Sequence, residues 1–282
     1  MKRIEFTKMH GIGNDYIYIN CFEKELENPG KLSIEMSKRH FSVGADGIVM
    51  ICRSEIADAK MRMFNADGSE GKMCGNAIRC VGKYLYDNGM TEKTKLDIET
   101  LSGIKRLDLN VENGKVESVK VDMGKASLVP SDIPVLTDKE RFVDEPLTIC
   151  DKEYRLTAVS MGNPHVVTYL DDIKSLDLEN IGPHFENCPR FPERVNTEFV
   201  RMIDEKTLDM RVWERGSGET YACGTGACAT VVASVVNGIC KKNTPVTVRL
   251  IGGELTITVL DDMCVIMEGT ATKVYDGVYE IQ

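Results

Sequence analysis

The chain repeats itself. Laid over itself at a displacement of 149 residues, MRMFNADGSEGKMCGN (61–76) falls on MRVWERGSGETYACGT (210–225). Met61 meets Met210, Arg62 meets Arg211, Glu70 meets Glu219, Cys74 meets Cys223 and Gly75 meets Gly224. Phe64 meets Trp213, so an aromatic ring precedes each loop. The same displacement brings Gly13-Asn14 onto Gly162-Asn163, Asn88-Gly89 onto Asn237-Gly238, and Gly103 onto Gly252. One coincidence of glycines means little. A constant displacement over so long a stretch, with the turn residues in step, is the mark of duplication, and so long a period implies two related domains rather than a solenoid. A chain of 282 residues is comfortable for two cores.

The local pattern agrees in both halves. Each opens with a strand-like segment ending in a Gly-Asn turn, RIEFTKMHGIGND and YRLTAVSMGNPH. Short helices are expected around Lys31–Phe41 and Leu176–Phe185, then β-rich segments, GIVMIC with AKMRMF and TEFVRMI with LDMRVW. A Cys-Gly turn follows, then a helix of about fifteen residues ending at Asn-Gly, a good C-cap pair. Its small and apolar residues predict burial nearly all round. Alternating strands close each half, with hairpin signals at 112–114, 252–253 and 261–262. The reading is α+β: two duplicated domains, each a curved, mostly antiparallel sheet wrapped on a central helix, joined by a linker near Met123–Ser131.

Charge excludes some functions. The net charge of −9 argues against a general nucleic-acid or anionic-membrane partner. The first twenty residues lack the apolar stretch of a secretory signal, and no apolar run approaches a membrane span. Ten cysteines then suggest reduced thiols in the cytoplasm.

Each Cys-Gly stands where a helix begins. Unpaired backbone N–H groups and the helix dipole favour negative charge there, so the thiols of Cys74 and Cys223 are expected to have lowered pKa values. The same N–H groups suit a carboxylate ligand, and the following glycine allows close approach. Two such domains facing across a cleft would put one thiol on each side of a bound amino acid. One could remove the α-proton while the other supplies a proton to the opposite face, inverting the centre by general acid–base catalysis. No GxGxxG fingerprint, phosphate-cradling loop or clear pyridoxal lysine is present, and the cysteine spacings do not match structural zinc sites. No cofactor and no metal are expected.

The segments MHGIGNDY (9–16), NADGSEGKMCGNAIRC (65–80), GNPH (162–165), ERVNTEF (193–199) and WERGSGETYACGTGAC (213–228) together closely resemble diaminopimelate epimerase, in order through nearly the whole chain. The resemblance implies a cofactor-independent enzyme that interconverts LL- and meso-diaminopimelate on the route to lysine and peptidoglycan. It implies two pseudo-symmetric domains, a C-terminal tail returning to the first, and a homodimer. The domains are then 1–123 with 269–282, and 124–268, with the active site in the cleft between them.

By this resemblance Cys74 and Cys223 are the acid–base pair, and His165 and Glu214 assist proton movement. Asn14, Asn65, Asn163, Asn196, Glu214 and Arg215 hold the distal amino-acid end of a small diamino dicarboxylic acid. Gly75, Asn76, Gly224 and Thr225 supply the amides for the reacting carboxylate. Ala77 departs from a glycine common in the family. Gly47 stands where some members contribute a glutamine, so it is not counted as a binding side chain.

Other readings compete. The scaffold could serve another amino acid, such as histidine or proline, although the charged Glu214-Arg215 pair suits a compact apolar ring poorly. A non-catalytic thiol redox sensor would explain reactive cysteines, but not the asparagines and the Glu-Arg pair. Cys74 and Cys223 could join as a disulfide in an oxidised, inactive form. The other eight cysteines are read as structural, and His10, His40 and His184 receive no role.

Overall fold

The computed structural model describes residues 2–281. They group into two compact units: the chain up to Val121 together with the segment from Glu268 on, and Asp122–Met267.

In the first unit the elements run β1 (Lys2–Gly11), β2 (Asn14–Cys21), α1 (Pro29–Met36), β3 (Gly47–Cys52), β4 (Ala59–Asn65), β5 (Glu70–Gly71), α2 (Gly75–Asp87), β6 (Lys95–Thr100), β7 (Gly103–Glu112) and β8 (Lys115–Lys125). Strand pairing follows the order β1-β2-β3-β4-β6-β7-β8, with β5 beside β4. Among the pairings of the described residues in this unit, β2–β3 and β4–β6 are parallel and the others antiparallel.

The second unit repeats this plan with β10 (Lys152–Ser160), β11 (Pro164–Tyr169), α3 (Leu178–Glu186), β12 (Asn196–Asp204), β13 (Thr207–Glu214), β14 (Gly218–Glu219), α4 (Gly224–Val236), β15 (Val246–Leu250), β16 (Gly253–Val259) and β17 (Cys264–Thr270). Here β11–β12 and β13–β15 are the parallel pairs. Helices α2 and α4 each have 13 residues and lie 149 apart at both ends. The fold is α+β, four α-helices on mostly antiparallel sheets.

Each unit needs one further strand, and the two obtain it differently. In the second, β9 (Glu145–Ile149) forms a hairpin with β10. In the first, the matching place beside β1 is taken by the last strand, β18 (Thr272–Ile281).

The central strands of each sheet are covered on both faces, whereas β6, β7 and β8 alternate buried with exposed residues. α2 packs on β1, β2 and β7, and α1 on β3 and β4; α4 packs on β10, β11, β12, β15 and β16, and α3 on β12, β13 and β14. Burial on both faces explains why β3 reads as an unbroken apolar run, all six residues buried. Its Ile48 and Met50 join Ile17, Ile19, Leu32 and Phe64 under α1, while Leu156, Phe185, Phe199 and Trp213 form the matching cluster under α3.

The two copies have adjusted in pairs. Ser33 of α1 donates to the carbonyls of Phe64 (3.0 Å) and Asn65 (2.8 Å), fastening the end of β4. Its counterpart is Gly182, where an added Cβ would lie 2.2 Å from the indole of Trp213. The larger ring of the second copy therefore requires the smaller residue opposite it.

The long helices end as their sequence demands. Asn88 and Asn237 each donate a side-chain N–H to the carbonyl four residues back (2.8 Å both), and Gly89 and Gly238 follow at φ 69° and 74°.

Two local expectations are corrected. α1 ends at Met36 rather than Phe41; Pro29 starts it early, and the chain leaves helical geometry before His40 at φ 70°. α3 begins at Leu178 rather than Leu176, because Asp177 is its cap and accepts from Asn180 N. The stretch 123–131, expected as a linker, carries regular structure. β8 continues to Lys125, Ser127 pairs with Ser160, and Pro130–Asp132 forms a short 3-10 turn. Among the described residues no helix is long and apolar enough to cross a membrane.

Candidate functional site

Both Cys-Gly motifs begin a helix. Cys74 (φ −132°, ψ 120°) caps α2, and Cys223 (φ −120°, ψ 107°) caps α4. Their carbonyls accept from Ile78 N and Ala227 N (3.0 Å each), the first helical bond in each case. Gly75 and Asn76, and Gly224 and Thr225, therefore occupy the first helical positions, whose amides have no intrahelical acceptor.

The surroundings of the two sulfurs differ. The half-buried Cys74 donates from Sγ to Asn14 Oδ1 at 3.3 Å, and Asn76 Nδ2 donates to the same oxygen at 3.4 Å. Asn14 Nδ2 donates to Asp46 Oδ2 at 2.8 Å, which fixes the orientation of its amide. Asp46 also accepts from Asp15 N (3.1 Å) and from Arg39 (3.2 Å), and Arg39 and Lys8 reach Asp15. Burial and the neighbouring Asp15 raise the Asp46 pKa. Asn65, at the end of β4, joins a different group: its Nδ2 donates to Ser69 Oγ at 3.0 Å.

In the second unit Cys223 is 5 % exposed. Its Sγ accepts from Gly226 N at 3.3 Å and lies 3.6 Å from Thr225 Oγ1. Asn163 Nδ2 donates to Thr225 Oγ1 at 3.4 Å, and Asn163 Oδ1 lies 3.0 Å from His165 Nε2. Glu214, at the end of β13, accepts from Thr220. Burial raises the Glu214 pKa, and its contacts with Thr220 and Cys223 and the charge of His165 pull it partly back.

Asn196 is committed at both ends of its amide, donating to Pro164 O (2.7 Å) and accepting from Arg215 N (2.9 Å). Arg215 donates from Nη1 to Glu193 O at 2.8 Å. Gly47 has no room for a side chain: a Cβ would lie 2.0 Å from Phe64 O.

The expectation of a lowered thiol pKa fails for Cys223. Burial raises it well above 9.0, helped by the charges of Glu214 and Glu198; the bonds from Thr225 and Gly226 N, which favour thiolate, do not compensate. The helix start supplies N–H groups, but the protein supplies two carboxylates and removes the water. The folded state thus holds this proton more tightly than the unfolded chain does. The resulting stabilisation is complete below the unfolded thiol pKa and lost as pH rises above it. The urea midpoint is expected to fall more steeply above about pH 9 in the wild type than in Cys223→Ser. Parallel slopes in the two proteins would contradict it.

Sequence reasoning missed three carboxylates: Asp46, Glu186 and Glu198. Glu198 lies in the quoted ERVNTEF, and an acid inside a strand apolar enough to be buried was the available signal. A surface hollow of about 400 Å³ lies at the other end of α2 from Cys74, lined by Lys83, Asp87, Asn88 and Lys115. Lys83 there is already paired with Asp87 at 2.9 Å.

The family model for diaminopimelate epimerase matches residues 6–129 and 157–274. A diaminopimelate epimerase of Acetivibrio thermocellus is 57% identical over 275 residues, covering 97% of this chain and 98% of that protein. One from Methanococcus maripaludis is 53% identical over 279 residues, covering 99% and 100%. The fold extends further: a hydroxyproline epimerase from Agrobacterium vitis superposes with a TM-score of 0.70 at 14% identity, covering 99% of this chain and 91% of that one. With the family model spanning both halves and full-length relatives above half identity, the chain belongs to the diaminopimelate epimerase family.

Proposed function

We infer that this chain is an isomerase with diaminopimelate epimerase activity, acting in lysine biosynthesis. The finer reading is interconversion of the LL and meso forms, which also feeds peptidoglycan, by proton exchange between the α-carbon and two thiols. The observation that carries it is the matched pair of cysteine N-caps, Cys74 on α2 and Cys223 on α4.

Racemising an α-carbon needs a base on one face and an acid on the other. Burial and two carboxylates favour Cys223 as the resting thiol, the proton donor. Removal of the α-proton in that direction then falls to Cys74, once its sulfur has given up the proton it donates to Asn14 Oδ1. After one turnover Cys74 carries the proton and Cys223 is the thiolate, poised for the reverse reaction. The carbanion forms beside a carboxylate held by the amides of Gly75, Asn76, Gly224 and Thr225. Glu214 and His165 stabilise and exchange protons near Cys223. Asn14, Asn65, Asn163, Asn196, Glu214 and Arg215 receive the distal ammonium and carboxylate. Asn196 does so through the Arg215 backbone it anchors. The ten cysteines and the need for reduced thiols support the cytoplasm as the working compartment. Family resemblance supports a homodimer.

The test is deuterium exchange. Reduced protein is incubated with LL-diaminopimelate in deuterated water and the α-proton followed by NMR, with histidine and proline as controls. Deuterium at Cα with meso product, for diaminopimelate alone, is expected. Exchange on histidine or proline instead would overturn the substrate. No exchange on any of the three would overturn the activity.

A further inference from the structure

Glu198 has no direct part in the chemistry above. Its side chain is 0 % exposed, in β12 between Thr197 and Phe199. A carboxylate there is costly unless it is paired. Oε1 lies 2.7 Å from Nδ1 of His165, itself 0 % exposed. The parallel register of β11 and β12 sets His165 beside Asn196, and Glu198 shares the Asn196 face two residues on. From His165 the contacts continue: Nε2 to Asn163 Oδ1 (3.0 Å), Asn163 Nδ2 to Thr225 Oγ1 (3.4 Å), and Thr225 Oγ1 to Cys223 Sγ (3.6 Å).

A second observation places the same carboxylate behind the start of α4. A Cβ built on Gly226 would lie 2.7 Å from Glu198 Oε1 and 3.1 Å from Cys223 Sγ. The acid and the sulfur both approach the bare face of Gly226. Glu198 Oε2 is buried with no hydrogen-bond partner among the described residues. Such a half-satisfied acid is a poor contribution to stability. Its value lies in its effect on its neighbours.

We propose that Glu198 is a positioning residue for the Cys223 half of the site: it accepts from Nδ1–H of His165 while Nε2–H donates to Asn163 Oδ1, which fixes the ring and, through Asn163 and Thr225, the direction of the Cys223 sulfur. The proposal rests on the reading of Cys223 as an acid–base group. The logic is that of a buried acid orienting a functional histidine. The titratable groups acting on Cys223 and Glu214 are Glu198 from β12, His165 from β11 and each other. Glu198 also opposes ionisation of Cys223 by its charge.

Glu198→Gln tests this, since it keeps the shape and an oxygen for Nδ1–H but removes the charge. In the full-length protein kcat is expected to fall roughly ten- to a hundredfold with KM within about twofold. The pH at which Cys223 is half alkylated, read by peptide mass spectrometry, is expected to move down. A folded Glu198→Gln protein with wild-type kcat and an unmoved Cys223 profile would overturn the proposal. Should that variant not fold, ¹⁵N-imidazole NMR of the wild type decides. A proton on His165 Nδ1 in a strong hydrogen bond is expected, and an unprotonated Nδ1 would overturn it. Alkylation and NMR need no turnover. A wild-type protein that fails to epimerise diaminopimelate would sink the proposed function and still leave this test readable.

Discussion

Cys74→Ala and Cys223→Ala each lower diaminopimelate epimerisation by about 10²–10⁴-fold, the range for loss of a positioned acid or base. Each is expected to do so in both directions, because each thiol is the base in one direction and the acid in the other. Combining the two costs little more than either alone, since groups that act as a unit are not additive. The two differ at rest: Cys223 is 5 % exposed with its pKa raised, whereas Cys74 is half-buried and turned toward Asn14. NMR in deuterated water from each pure epimer measures this. A single variant that keeps wild-type rates in either direction would remove that thiol from the mechanism. Near-normal urea midpoints in the variants would show that the loss is chemical rather than structural.

Glu186→Ala is expected to destabilise the second unit by about 1–3 kcal/mol, since it strands the buried indole N–H of Trp213. Glu186 is 6 % exposed at the end of α3. Its Oε2 accepts from Trp213 Nε1 at 2.8 Å, and its Oε1 from Gly216 N at 3.0 Å and Arg194 Nη1 at 2.9 Å. The indole it holds fills the space left by Gly182. Arg194 is half exposed and contributes little of the cost, because water can replace its partner. The loop it holds carries Glu214 and Arg215. A rise in KM should therefore accompany the lower urea midpoint, while kcat changes less. An unchanged midpoint at constant m-value would show that water satisfies the indole N–H.

Much of this was legible before any coordinates. The helices after Cys74 and Cys223 could be placed because their signals are local: an extended cap residue, a glycine, small residues and a closing Asn-Gly. The all-apolar GIVMIC marked β3 for the same reason. Shorter signals were less exact. Lys31–Phe41 kept an apolar spacing past Met36, where the helix had already stopped. Leu176 looked like a helix residue because Asp177 could be read as interior rather than as the cap.

The site divides along the same line. Asn163, His165, Thr225 and Cys223 were named from motifs, and the structure joins them by hydrogen bonds within one unit. Asp46, Glu186 and Glu198 were not named, because each matters only through a strand or helix distant in sequence. Their partners, Asn14, Trp213 and His165, are all reached across the fold.

The sequence by itself determined the duplication, the two cysteine caps and the family, because repetition and short-range backbone signals are written in residue order. The return of the tail to the first domain came with the family resemblance; only the tertiary structure pairs it with β1, in the place that β9 takes beside β10. The tertiary structure alone decided that Cys223 holds its proton. A helix start acts over one turn and lowers a thiol pKa, whereas burial and the charges of Glu214 and Glu198 are set by which strands lie alongside. At Cys223 those long-range effects outweigh the local one.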